Sequence, residues 1–260
     1  MKKPLRYALT IRILLVLSVL ASALLPTGCG EEAHSTIPTD TEDLPSSAVL
    51  LPCEDRGQAY LDGFIFFGES TTYHMKSRGV LSGGTATGQV WGPDSGTVNL
   101  DATTVSILIR YPETGEYIPF SEAIRRAKPP RILLTFGLNG AVRNVRLGAE
   151  YYKSCYGALI DVIREASPET EILLQSCFPI AASMDVSRYT VSAKELNSYI
   201  SRINGWVLEL AEARGLGYLN TAEALRDEHG FLREEYQAGD GYHLNEDAYR
   251  IILEYIRTHG

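Results

Sequence analysis

Gly63-Phe64-Ile65-Phe66-Phe67-Gly68-Glu69-Ser70 passes from an unbroken apolar run into a glycine, an acid and a serine. A run that is apolar at every position, rather than at alternate ones, marks a strand covered on both faces. A helical pattern from Ser70 to about Ser77 follows at once, so the serine stands where a strand ends and a helix begins. The alternation continues along the chain. Val105 to Ile109, Arg131 to Phe136, Glu171 to Cys177 and Leu216 to Asn220 read as further strands. Ser121 to Ala127, Gly148 to Ala166, Ser192 to Arg214 and the segment after Asn245 read as helices. Ser192 and Glu195 have capping-box spacing, Gly215 is a helix stop, and Asn245 is a good N-cap. Buried strands alternating with amphipathic helices predict an α/β domain with a mostly parallel sheet covered on both faces. In such sheets sites lie beyond the carboxyl ends of the strands. Ser70 and Gly137-Leu138-Asn139-Gly140 both follow strand ends, which places them on one rim.

The N-terminus reads as an address. Lys2, Lys3, Arg6 and Arg12 precede an apolar stretch from Ile13 to Leu25. That stretch is shorter than the roughly 20 residues of a spanning helix and fits an export signal over residues 1–28. Leu25-Pro26-Thr27-Gly28-Cys29 resembles a bacterial lipobox, with Pro26 where a branched apolar residue is usual, and implies lipidation of Cys29. Residues 29–52 are polar and read as a flexible tether, leaving 53–260 as one domain with a sizeable core. The chain carries a formal charge of −8, and the leader holds four of its basic residues, so the remainder is more acidic still. That balance argues against a nucleic-acid partner. Cys53, Cys155 and Cys177 have no metal-ligand spacing, and no metal is expected. Cys155 and Cys177 read as buried thiols, with pairing between them left open.

Three segments carry chemistry. A serine hydroxyl is a weak nucleophile and needs an adjacent base. Ser70, at a helix start, would place its own N–H toward a developing oxyanion, although serine is also among the commonest helix caps. Asp240-Gly241-Tyr242-His243-Leu244-Asn245 offers a histidine base with an aspartate three residues before it, within reach of one ring nitrogen. The flanking glycines read equally as plain turn chemistry. Asn139, between Gly137 and Gly140, can donate its amide to an oxyanion or simply occupy a left-handed turn.

Gly68-Glu69-Ser70-Thr71, Gly137-Leu138-Asn139-Gly140 and Asp240-Gly241-Tyr242-His243-Leu244-Asn245 resemble three sequence blocks of the SGNH/GDSL hydrolases, over about Asp62 to the C-terminus. The resemblance implies a flavodoxin-like three-layer α/β/α sandwich and an esterase, lipase or deacetylase needing no cofactor. It implies Ser70 as nucleophile, His243 as base, Asp240 as its partner and Asn139 as oxyanion donor beside the Ser70 N–H. Glu69 replaces the usual aspartate of the first block and is expected to do no chemistry, and Gly140 replaces another. Gly96 is the choice for the glycine oxyanion donor, with Gly92 and Gly84 open. His74, four residues after Ser70, reads as pocket wall or substrate contact, and Trp91 as core or a platform for a sugar. The expectation is an exported, lipid-anchored serine esterase acting on small acyl esters, acetyl foremost, carried by carbohydrate. An acyltransferase, a lipid or lysophospholipid esterase and a non-catalytic glycan-binding domain are the rivals.

Overall fold

A computed structural model describes residues 46–260; the expected signal, Cys29 and most of the expected tether lie outside the described residues. The main sheet has five strands: β1 (Phe64–Gly68), β2 (Val90–Trp91), β5 (Arg131–Thr135), β6 (Glu171–Gln175) and β7 (Gly217–Leu219). Its order is β2-β1-β5-β6-β7, with every pair parallel. β3 (Leu108–Arg110) and β4 (Tyr117–Pro119) form a separate antiparallel pair. The helices are α1 (Gly57–Asp62), α2 (Ser70–Ser77), α3 (Phe120–Ala127), α4 (Ala141–Leu147), α5 (Ala149–Ala166), α6 (Ala193–Arg214) and α7 (Glu246–Thr258).

The two-residue period of the strands divides the core in two. Phe67, Ile132, Leu134, Ile172 and Leu174 pack with apolar side chains of α3, α5 and α6. Phe64, Phe66, Leu133 and Leu173 pack with side chains of α1, α2 and α7. The sheet is therefore the middle of three layers, which explains why its strands are apolar at every position. The α6 capping box forms as its sequence predicts, and the Asn245 side chain caps α7 through the Ala248 N–H.

Two expectations change. Residues 46–52 do not all belong to a spacer. Ala48 is buried, the Leu50 N–H donates to the Tyr218 carbonyl at 2.9 Å, and the Tyr218 N–H donates to the Ala48 carbonyl at 2.7 Å. The free edge of β7 supplies those backbone partners, and a short segment takes them despite its polar neighbours. Val105 to Ile109 is not a strand of the main sheet. It opens as a 3₁₀ turn and enters the β3–β4 hairpin, because an apolar run specifies burial and not which partner pairs with it. β2 lies between Gly79 and Leu100, a stretch rich in Gly, Ser and Thr with no readable period, and its two residues are fixed by pairing with Phe66 and Phe67.

Candidate active site

Ser70 opens α2 directly beyond the end of β1. Gly68 is required there because a Cβ would come within 2.4 Å of the carbonyl oxygen of Thr135, its partner on β5. Glu69 then turns inward and is only 2 % exposed. Its carboxylate accepts the backbone N–H groups of Gly137 at 2.8 Å, Leu138 at 3.0 Å and Asn139 at 2.9 Å. Burial raises its carboxyl to about 7, against the downward pull of those three donors. Glu69 thus ties the serine turn to the asparagine turn. The sequence reading gave it no part in the chemistry, and it holds none of the reacting atoms, but it sets where Asn139 stands.

His243 comes from a loop closed by backbone bonds: the Ala238 N–H donates to the His243 carbonyl at 2.8 Å, and the Asn245 N–H to the Tyr236 carbonyl at 2.9 Å. The Gln237 side-chain oxygen accepts the N–H groups of Gly239 and Gly241. Asp240 Oδ1 accepts the N–H groups of Tyr242 at 3.1 Å and His243 at 2.9 Å, while Oδ2 lies 2.6 Å from His243 Nδ1. Burial pushes the Asp240 carboxyl up, but the backbone and ring of His243 and the N–H of Tyr242 outweigh it and hold it below its ordinary value. The other ring nitrogen, Nε2, lies 3.1 Å from Ser70 Oγ. With the Nδ1–H donating its hydrogen bond to the ionised aspartate, Nε2 is left to accept the serine hydroxyl. α7 is anchored beside this contact, since the buried Tyr249 hydroxyl donates to the Thr71 carbonyl at 2.6 Å.

The His74 ring packs on His243 with centroids 4.4 Å apart, and the Tyr242 ring lies 3.9 Å away. His74 is therefore wall to the base. Burial, then the charge of His243, lower its pKa to about 4, so the ring is neutral near pH 7. Its Nδ1 is buried without a hydrogen-bond partner. The Asn139 side-chain amide donates to Thr97 Oγ1 at 2.9 Å, which uses one of its two N–H bonds.

Two expected residues take other places. The Gly96 N–H donates to the Pro93 carbonyl at 3.0 Å and closes a turn, so it is not a free oxyanion donor here. Trp91 is core, 3 % exposed, edge-on to Tyr111 and Phe120, with its indole N–H on the Gly88 carbonyl; it is no platform for a sugar. Cys53, Cys155 and Cys177 are all free. Burial pushes the Cys177 thiol well up, and its Sγ lies 2.7 Å from the Phe136 carbonyl oxygen. Among the described residues no group of three His, Cys, Asp or Glu side chains could hold a metal ion.

The fold is similar to that of solved structures. A protein assigned to the G-D-S-L lipolytic family from Desulfitobacterium hafniense is 17 % identical with a TM-score of 0.50, over 75 % of this chain and 97 % of that one. A GDSL-like lipase from Bacteroides thetaiotaomicron is 18 % identical with a TM-score of 0.44, over 76 % and 87 %. A carbohydrate esterase of family 3 from Talaromyces cellulolyticus is 15 % identical with a TM-score of 0.44, over 74 % and 93 %. No curated protein matches the sequence. The model of the GDSL-like lipase/acylhydrolase family matches residues 66–251, which run from within β1 into the first turns of α7 and contain Ser70, Asn139, Asp240 and His243. This chain belongs to the GDSL-like lipase/acylhydrolase family, a family of ester-hydrolysing enzymes.

Proposed function

We propose that this enzyme is a serine esterase that removes small acyl groups, acetyl foremost, from carbohydrate outside the cell. One observation carries the reading: the continuous line of hydrogen bonds from Ser70 Oγ through His243 to Asp240, at 3.1 Å and 2.6 Å. Ser70 Oγ attacks the ester carbonyl carbon while its proton passes to His243 Nε2. Asp240 stabilises the imidazolium that results. The carbonyl oxygen takes the negative charge and is met by the N–H of Ser70, which has no partner among the described residues at the start of α2, and by the second N–H of the Asn139 amide. As the C–O bond to the alcohol breaks, His243 gives its proton to the departing oxygen. It then takes a proton from the water that attacks the acyl carbon, and returns it to Ser70 Oγ as the acyl–Oγ bond breaks and the acid leaves.

The short acyl group is favoured by the crowding of the base, since the rings of His74 and Tyr242 both pack on it. Among the described residues, Tyr73 is the one large exposed apolar side chain that α2 carries, a small lip for a long acyl chain. The export and lipid-anchoring part of the proposal rests on the leader and Cys29. Among the described residues no helix is long and apolar enough to cross a membrane.

Hydrolysis of p-nitrophenyl acetate, butyrate and octanoate, beside Ser70→Ala, tests the reading. Turnover that needs Ser70 and falls with chain length is expected. Octanoate as the best substrate overturns the small-acyl assignment, and turnover indifferent to Ser70 overturns the serine mechanism. For the anchor, Cys29→Ala should release the protein from the membrane fraction, and unchanged partitioning contradicts lipidation.

A further inference from the structure

Ser70, Tyr73 and Lys76 follow one another at three-residue steps along α2. At about 1.5 Å per residue, Lys76 stands roughly 9 Å along the axis from the serine, about the length of one or two sugar rings. Beside that face lies a cavity of about 370 Å³, lined by Tyr73, Lys76, Asp94, Arg110 and Tyr111 among others. Its size falls in the roughly 300–1,000 Å³ range of small-molecule sites. Ser70, Asp240 and His243 do not line it, so it adjoins the reacting atoms without being their pocket.

Tyr73 forms the wall between the two. A Cβ on Gly96 would come within 2.9 Å of the Tyr73 ring, so the glycine is what lets this ring lie flat on the turn. That gives Gly96 a part other than the oxyanion donor its sequence suggests. The far wall is the β3–β4 hairpin, tied to the same turn by the Arg110 N–H on the Gly92 carbonyl and by the Tyr117 hydroxyl on Asp94.

The charge of this lining runs against the rest of the molecule. The chain is net acidic at −8. Yet two cations, Lys76 and Arg110, line one cavity, and their side chains make no hydrogen bond or ion pair among the described residues. The one acid in the lining, Asp94, already accepts the Tyr117 hydroxyl. An acyl chain would gain nothing from two cations. A polar, carboxylate-bearing ring with an apolar face would gain from both, and from Tyr73 and Tyr111.

Resting on the esterase reading above, we infer that this cavity is the subsite for the alcohol side of the substrate and takes a sugar carrying a carboxylate, so that the enzyme deacylates acidic glycans. The carboxylate meets Lys76 and Arg110 while the acylated hydroxyl of the same or the next ring reaches Ser70.

The test uses methyl glucuronoside acetylated on its ring hydroxyls with the carboxylate free, and its carboxyl methyl ester, which keeps the shape and removes the charge. Acetate release is measured on each. A preference for the free acid of about tenfold in kcat/KM is expected at low salt, shrinking as salt rises. Because the ratio is read on one protein, it cancels any general loss of active enzyme. It should fall to about one in Lys76→Ala/Arg110→Ala and should rise in Asp94→Asn, which removes the one opposing charge. Equal turnover of the two compounds by the wild type overturns the inference, and so does a preference that survives the double substitution. If p-nitrophenyl acetate is not turned over and a fluorophosphonate probe leaves Ser70 unlabelled, the esterase reading itself fails, and the substrate class falls with it.

Discussion

The two halves of the site are built in opposite ways. The nucleophile half is interior: Glu69 is 2 % exposed and is held by three backbone donors from a turn up to 70 residues away in sequence. The base half is a surface loop: the Asp240 side chain is 44 % exposed and that of His243 is 16 %. Glu69 fixes backbone; Asp240 fixes one imidazole ring. The contrast separates folding from chemistry. Damage to the buried carboxylate should register first in stability, and damage to the exposed one almost wholly in rate.

The sharpest way to break the comparison is Asp240→Asn. It should lower kcat by about 10³–10⁴ through the wrong histidine tautomer while leaving Tm within a degree or two. A large loss of stability would mean that the loop is structural like Glu69. Asn139→Ala comes next, with an expected loss of about 10²–10³ in kcat and little change in KM, the mark of a group that acts on the oxyanion. A loss confined to KM would place the amide on the ground-state substrate instead.

Glu69→Gln should show the reverse pattern. An amide nitrogen cannot accept an N–H, so at least one buried donor loses its partner, at a cost of about 1–3 kcal/mol in denaturant unfolding. Activity should fall by less than in Asp240→Asn. Unchanged stability would contradict the part assigned to Glu69.

The smallest effect is one of pH. The Glu69 carboxyl sits at about 7 when folded, against an ordinary value of 4.5. Between those values the folded protein keeps a proton that the unfolded chain has lost. The stability linked to this proton is therefore full below about pH 4.5 and declines as pH rises through about 7. Glu69→Gln lacks this decline, so the stability gap between wild type and variant should narrow across that window. A gap that widens would mean that the three N–H donors outweigh burial.

The same contrast explains what the sequence disclosed. The base half is local: the aspartate, the histidine and the Asn245 cap fall within six residues, and spacing alone brings them together. The long strands and helices were also legible, because their apolar periods and caps are local. The part played by Glu69 was not, since its partners at Gly137 to Asn139 exist only once β1 lies beside β5. β2 and the pairing of residues 48–50 with β7 were hidden for the same reason, as both are fixed by a neighbour rather than by their own composition. His74 lies between these cases. Its spacing from Ser70 placed it at the site, but not its stacking on His243, which comes from another loop.

The most direct test of the central claim is mass spectrometry of the enzyme quenched during turnover of p-nitrophenyl acetate. The account predicts an acetyl group on the peptide that carries Ser70, absent in Ser70→Ala. Steady acetate release with no acyl group on that serine, or with the group on another residue, would contradict it.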